Sequence, residues 1–341
     1  MQGWYLGRRI QGWLKLWLIG LVSLCLVVAC QPSPPPSQDV TADCVTVSHS
    51  AGETCIPKTF ERLVTLDSVS FEYAIAADLQ PVGTTLSNFQ TALPALQTDV
   101  ANIGQSGEPS LEEILKLDPD LLVGLDFHGA IYPQLSQIAP TFLLNFEHSG
   151  LWKPIFQNFG EALGKTDVVA EKLAAYNQRV QELQNRLGDR RQDLQISVIR
   201  LYPDSITMYL QDSFCGTILQ DVGLSRSPAQ AVDAETAQAQ FGNPIQAVLS
   251  EELLSEVDGD VIFVWTGENT ATANAEAQKK LADLQKNPLW NQLQAVQKGQ
   301  VYQVPSYWIG SGPVAAEAIL DDLFTHLTDF FTETTTETTE L

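Results

Sequence analysis

The chain has 341 residues, 44% hydrophobic and 18% charged, enough to bury more than one domain-sized core. Its 41 acidic residues against 19 basic ones leave a formal net charge of −22. That balance excludes nucleic acid and an anionic membrane face as surfaces gripped by charge.

Residues 1–30 hold Arg8, Arg9 and Lys15 and no acid, and an apolar run occupies Leu16–Ala29. A membrane-spanning helix needs about 20 apolar residues, so this run is short. A basic start, a short apolar core and a small residue before the cut predict a secretory signal over 1–29; an uncleaved helix is the alternative. Arg8-Arg9 hints at a twin-arginine signal, but Gln11 and Gly12 fit one poorly, which favours the general export route. Val27-Val28-Ala29-Cys30 resembles the bacterial lipobox, which implies lipid attachment at Cys30 and an exported chain held to the membrane by that anchor only. Pro32, Pro34, Pro35 and Pro36 then favour an extended spacer, so residues 30–43 read as a tether. Without residues 1–29 the chain carries 16 basic and 41 acidic residues, a net of −25.

Outside the cytosol cysteines pair. Cys44 and Cys55 bracket CVTVSHSAGETC, in which Val45, Val47 and Ile56 alternate around a polar turn, as in a hairpin. A disulfide across that hairpin is expected; the alternative, a metal site with His49, lacks a fourth ligand nearby. Cys215 is then a lone buried thiol.

Next, Arg62–Asp67 reads as a buried strand, and Phe71, Ala74, Ile75 and Ala77 follow at helical spacing up to Pro81. Strands are expected at Val82-Gly83, Val100–Gly104 and Leu121–Leu125. Between the last two, Ser110-Leu111-Glu112-Glu113 has the form of a capping box and Asp118-Pro119 ends its helix. Tyr132–Ile138 reads as a short helix. Over 155–187 apolar residues recur at three and four, interrupted at Gly164 and closed by Gly188, which predicts a long amphipathic helical region. Strands follow at Ile196–Leu201, Thr207–Leu210, Val261–Trp265 and Val301–Val304. Helices are expected at Thr217–Val222, Ala247–Ser255, Ala277–Leu284 and Val314–Phe324. Residues 328–341 are low in complexity and read as a disordered tail.

Strands apolar on both faces, alternating with helices, predict mainly parallel sheets covered by helices. The fold class expected is therefore α/β: a first lobe over 44–154, a linking helical region over 155–188 and a second lobe over 189–327. Ligands of such sheets bind at strand ends, here in a cleft between the lobes.

Several segments, in this order and spacing, carry a resemblance: RLVTLDSVSFEYAIAADLQPVG, IGQSGEPSLEEILKLDPDLLVG, FGEALGKTDVVAEKLAAYNQRVQEL, YLQDSFCGTILQDVGL, LSEELLSEVDGDVIFVWT and NPLWNQLQAVQKGQVYQVPSYWIGSGPVAAEAILDDLF. Over roughly 44–327 the chain resembles the helix-linked class of ABC-importer substrate-binding proteins for iron–siderophore complexes and vitamin B12. The lipobox and the Cys44–Cys55 hairpin look like the lipid-anchored cyanobacterial branch. The resemblance implies a monomer that captures a ferric siderophore at the periplasmic face and delivers it to a permease and its ATPase, with no intrinsic cofactor and no catalysis. By the match of PSLEEIL and LSEELL it implies that Glu112 and Glu252 dock on permease arginines. Ordinary helix N-terminal acids are the alternative.

Within the pocket, Arg200 stands in the apolar strand SVIRLYP, where a charge needs a partner. It either faces the cleft and meets a ligand oxygen, with Tyr202 pointing the same way, or sits in an internal salt bridge. Gln105-Ser106-Gly107 marks a departure, because hydroxamate-binding members of the family often carry arginine where Ser106 stands. Few cations remain for the pocket, Arg200 and Arg226 among them, which favours a ferric hydroxamate or citrate–hydroxamate over a ferric tris-catecholate. Trp308 and Trp265, at strand ends, suit a bulky chelate. Tyr307, Phe127, His128, Phe89 and Trp152 are weaker candidates, and Asp212 or Ser213 reads as a helix cap.

Rival cargoes are vitamin B12, haem or a bare metal ion, and the four scattered histidines do not suit the last. A ligand-sensing lipoprotein without a permease is a further alternative. The motifs G-x-S-x-G and H-E-x-x-H are absent from the sequence, which argues against an exported hydrolase or metalloprotease.

Overall fold

A computed structural model describes residues 43–87, 92–97, 99–105, 107–268 and 270–328. The signal, Cys30, the tether up to residue 42, Phe89, Ser106 and the tail beyond 328 lie outside the described residues.

The chain enters through the expected hairpin, β1 (Cys44–His49) and β2 (Gly52–Pro57), paired antiparallel with Thr46 opposite Cys55. Cys44 and Cys55 form a disulfide across it. The hairpin docks on the first sheet through Thr54, whose hydroxyl donates to the Thr141 carbonyl at 2.6 Å.

That sheet contains β3 (Leu63–Thr65), β4 (Gly83–Leu86), β5 (Ala101–Gln105), β6 (Glu108–Pro109), β7 (Leu121–Leu125) and β8 (Thr141–Leu144), in the order β6-β5-β4-β3-β7-β8. All its pairs are parallel except β5–β6. Helices α1 (Ser68–Ala76), α2 (Leu111–Lys116) and α3 (Tyr132–Ile138) connect these strands. The chain runs from β3 outward through β4 and β5 and returns to the other side of β3 at β7. The order therefore reverses between β3 and β7, which opens a crevice at their C-terminal ends.

Two helices lead out of this sheet: α4 (Trp152–Ala162) and α5 (Thr166–Leu187). They are one amphipathic stretch broken by Gly164, whose φ of 67° is the left-handed conformation glycine adopts without strain. On α5 the residues Val169, Leu173, Tyr176, Val180, Leu183 and Leu187 are buried, the three-and-four spacing that makes one stripe.

The second sheet comprises β9 (Gln195–Leu201), β10 (Ile206–Tyr209), β11 (Ser225–Arg226), β12 (Gln246–Leu249), β13 (Val261–Thr266) and β14 (Val301–Gln303). Its order is β12-β10-β9-β13-β14, with β11 beside the start of β9. The β9, β13 and β14 pairings are parallel; β10 pairs antiparallel with β9 and β12. Around it lie α6 (Phe214–Val222), α7 (Ala234–Phe241), α8 (Ala271–Leu284), α9 (Gln294–Gln297) and α10 (Pro313–Leu327). The helix expected over Ala247–Ser255 is instead strand β12 followed by a 3-10 segment, Glu251–Val257. The free edge of β10 offers a backbone ladder that the short apolar run completes, with Val248 left 76% exposed.

One apolar core runs under both sheets. It includes Leu121, Val123 and Phe142 of the first sheet, the buried stripe of α5, Val198 and Phe263 of the second sheet, and Ile319 and Leu323 of α10. Each sheet has a smaller cluster of its own on its other face. The sheets thus share a single hydrophobic foundation, unlike the thin and polar contact that lets domains swing.

A polar fastening crosses the same foundation. Helix α10 begins with Gly312 and Pro313 and has no side-chain cap of its own. Glu72 of α1 supplies it: Ala315 N–H donates to Glu72 Oε1 at 2.8 Å. A Cβ on Gly312 would lie 2.5 Å from the Glu72 carboxyl carbon, so glycine permits the approach. Beside it, Tyr73 Oη donates to the Ser311 carbonyl at 2.8 Å. Burial pushes the Glu72 carboxyl from 4.5 up to about 7, against backbone N–H bonds from Ala315 and Val314 that favour its charge.

Two outcomes follow from this packing. Leu183→Ala costs about 2–5 kcal/mol, and because the core is common, urea unfolding followed by far-UV circular dichroism and by tryptophan emission keeps one transition; two separated transitions contradict it. Glu72 holds its proton more tightly in the folded chain than in the unfolded one. Its contribution to stability is complete below about pH 4.5 and lost as the pH rises through about 7, on the order of 3 kcal/mol in all. Glu72→Gln removes that decline, so wild-type stability falls relative to the variant between these pH values. Parallel pH curves contradict the assignment.

Candidate ligand-binding cleft

At the point where strand order reverses, the ends of β3 and β7 are tied by one carboxylate. Asp67 caps α1, accepting from Ser70 N–H at 2.8 Å through Oδ1. Its Oδ2 accepts from Leu125 N–H at the end of β7, at 3.0 Å. Asp67 is 2% exposed, and burial pushes its carboxyl above the ordinary range, opposed by these donors and by His128. Burial also holds the His128 imidazole below its ordinary value, and its Nδ1 lies 3.8 Å from Asp67 Oδ2. A second crossbar joins the next two loops: Asp126 Oδ2 accepts from Phe146 N–H at 3.2 Å. The turns after β3, β7 and β8 are thereby held in one frame.

This frame is one wall of a cavity of about 440 Å³. Ser68, Val69 and Glu72 of α1 form its floor with Asp67 and Leu125; Phe127, Phe146, Glu147, His148 and Ser149 come from the two tied loops; Leu93 and Leu96 add apolar surface. The second sheet's side supplies the facing wall: Asn243, Pro244 and Ile245 ahead of β12, and Ile309 and Ser311 ahead of α10. Asn243 sets its turn by accepting from Ile245 and Gln246 N–H at 3.0 and 3.1 Å. Among the described lining residues there are three acids and one histidine but no lysine or arginine. Positions 88–91, 98, 106 and 269, outside the described residues, are Asn, Phe, Gln, Thr, Thr, Ser and Asn in the sequence.

Of the pocket residues expected from sequence, Phe127 lines this cavity and is 54% exposed. Arg200 does not line it. It is 4% exposed, with Nη1 donating to Tyr202 Oη at 2.7 Å and Nη2 lying 3.2 Å from Glu268 Oε1. Its guanidinium stacks 3.9 Å from the Tyr202 ring centroid and 4.3 Å from that of Trp265. This is the internal salt bridge, the alternative raised above. Trp265 and Trp308 are both fully buried rather than set at the cavity. Trp308 packs on Phe263 at 4.5 Å, and its Nε1 donates to Asp322 at 2.7 Å; Tyr307 donates to the same carboxylate at 2.9 Å. Arg226 is buried inside the second sheet's layer, donating to the Tyr209 carbonyl and Gln230. Gln105 is exposed at the end of β5, between β4 and β6, and is not among the residues that line the cavity. An aromatic at or just after a strand end reads identically whether it turns toward a cleft or under a sheet; here Trp265 in β13 and Trp308 in the 3-10 segment after β14 both turn under.

Sequence reasoning missed Asp67, Glu72, Phe146, Glu147 and Asn243. A signal existed for Asp67, an acid directly after an apolar strand and ahead of a helix. Glu72 gave none, because its partner lies 243 residues away.

The two expected docking acids are at the surface. Glu112 lies on α2, 78% exposed and 2.9 Å from Lys116 Nζ, and Ser110 caps that helix by accepting from Glu113 N–H. Glu252 is exposed beside Glu251, which is held by Lys280 at 2.6 Å and by Asn287 at 2.9 Å.

The comparisons with known proteins agree with this architecture. The chain is 30% identical over 324 residues to the probable siderophore-binding lipoprotein YfiY of Bacillus subtilis, covering 92% of this chain and 97% of that one. It is 28% identical to the achromobactin-binding periplasmic protein of Dickeya dadantii, over 77% of this chain and 85% of the other. Among solved structures, Staphylococcus aureus SirA complexed with staphyloferrin B superposes with a TM-score of 0.70 at 28% identity, covering 83% of this chain and 98% of SirA. Residues 63–308 match the model of the periplasmic binding protein family, and the chain belongs to that family.

Proposed function

We propose that the chain is the substrate-binding protein of an ABC importer, with a ferric siderophore as cargo in the inter-lobe cleft. The observation that carries this reading is the cleft itself: a preformed cavity at a topological switch point, apolar and aromatic with a few polar groups. That lining suits a bulky, partly apolar chelate taken up whole, and the functions named for its relatives are of this kind. The reading is one of binding and delivery without catalysis, and iron enters as cargo within its chelator. A lining without lysine or arginine among the described residues favours a hydroxamate or citrate–hydroxamate over a tris-catecholate, whose triple negative charge calls for several cations.

In this reading residues 1–29 are a lipoprotein signal and Cys30 carries the lipid. The tether over 30–43 leads to lobes over 44–154 and 189–327, working as a monomer on the periplasmic face of the inner membrane. Glu112 and Glu252, both exposed and one on each lobe, are the docking acids: two separated charges fix the orientation in which the protein meets a permease.

Quenching of tryptophan emission by a panel of ferric siderophores, haem and cobalamin tests the cargo. Saturable quenching by ferric hydroxamates is expected; a flat response to every ferric chelate, or tighter binding of a tris-catecholate, overturns it. For docking, Glu112→Lys with Glu252→Lys lowers uptake through the reconstituted permease and ATPase by roughly tenfold and leaves ligand affinity unchanged. Unchanged uptake removes the docking assignment.

A further inference from the structure

The charges around the cleft are one-sided. Asp67 and Glu72 on its floor and Glu147 on its wall are faced by no lysine or arginine among the described lining residues. Asp67 and Glu72 are buried and engaged by backbone N–H groups at the starts of α1 and α10, so they belong to the frame rather than to the ligand. Glu147 differs, being exposed, with no ion pair to another described side chain. It follows Phe146 directly, and Phe127 stands on the adjoining loop, 54% exposed although its ring is large and apolar. The Asp126–Phe146 bond fixes the two loops to each other, and Phe127 is backed by the His128 ring at 4.1 Å. Two aromatic rings and a carboxylate on a prearranged wall are elements that can hold a protonated amine: a ring face attracts it through its quadrupole and the acid through its charge.

Resting on the reading of the cleft as a ferric-chelate site, we propose that this wall selects chelates that carry a positive charge, seating a protonated amine of the ligand against Phe127, Phe146 and Glu147. Phe127 and Glu147 are then the residues that set specificity. An anionic chelate meets the Glu147 carboxylate with no lysine or arginine among the described lining residues to offset it, while a cationic one meets matched potential on entry and in the site.

Two probes that differ only in this charge test it on the full mature chain: ferrioxamine B, a ferric trihydroxamate with a free ammonium, and its N-acetyl derivative, the same chelate made neutral. The cationic probe binds tighter by about tenfold at low ionic strength, and the gap narrows as salt is added. Glu147→Gln, at an exposed position, closes most of that gap. Phe127→Leu keeps the apolar contact, removes the ring face and lowers affinity for the cationic probe selectively. Equal affinities of the wild-type protein for the two probes overturn the proposal, and so does a gap that persists in both variants. Binding of neither probe overturns the ferric-hydroxamate reading beneath it, a result distinct from equal binding of both.

Discussion

The two sheets of this protein stand on one hydrophobic core, and the cleft is the space that this common foundation leaves open above it. The buried stripe of α5 touches the same cluster as Phe142 in the first sheet and Phe263 in the second. Opening the lobes widely means parting that cluster, and each fully buried aliphatic side chain uncovered costs about 1.5–3 kcal/mol. The Glu72 cap on α10 and the Tyr73 bond to Ser311 add polar contacts at the same level. The cleft is consequently held near one width, and its ligand has to fit a gap already made.

That rigidity explains how turn residues make a site. Asp67 and Asp126 each tie one strand end or loop to the next, so the tips after β3, β7 and β8 behave as one wall. Preorganised groups lose little freedom when a ligand arrives, which suits capture of a scarce chelate. Relatives named for siderophores of different chemistry share this architecture, and differences among them then reside in which side chains a common frame presents.

Much of the fold is legible in the sequence because its signals are local. The capping box at Ser110, the three-and-four stripe broken at Gly164 and the alternation around the hairpin turn each depend on a few neighbouring residues. The expectation of a helix over Ala247–Ser255 failed where a long-range term won, the edge of β10 drawing the run into β12. The site was less legible for the same reason. Arg200, Trp265 and Trp308 look functional as residue types, yet Glu268 and Tyr202 engage Arg200, Asp322 engages Trp308, and Trp265 is fully buried under the Arg200 guanidinium. The cavity is instead built by Asp67, Glu72 and the loop at Phe146, whose partners come from strands and helices far along the chain.

The central claim is that a ligand enters a cleft of nearly constant width above a shared core. Leu115 and Leu253 are both exposed, at 63% and 51%, the first beside the first sheet and the second beside the other. Spin labels at these positions, in Leu115→Cys with Leu253→Cys, report the distance between the lobes by double electron–electron resonance. The account predicts one narrow distance distribution that shifts by no more than about 2 Å when a saturating ferric hydroxamate is added. A broad or two-peaked distribution that collapses to a much shorter distance on binding would contradict it.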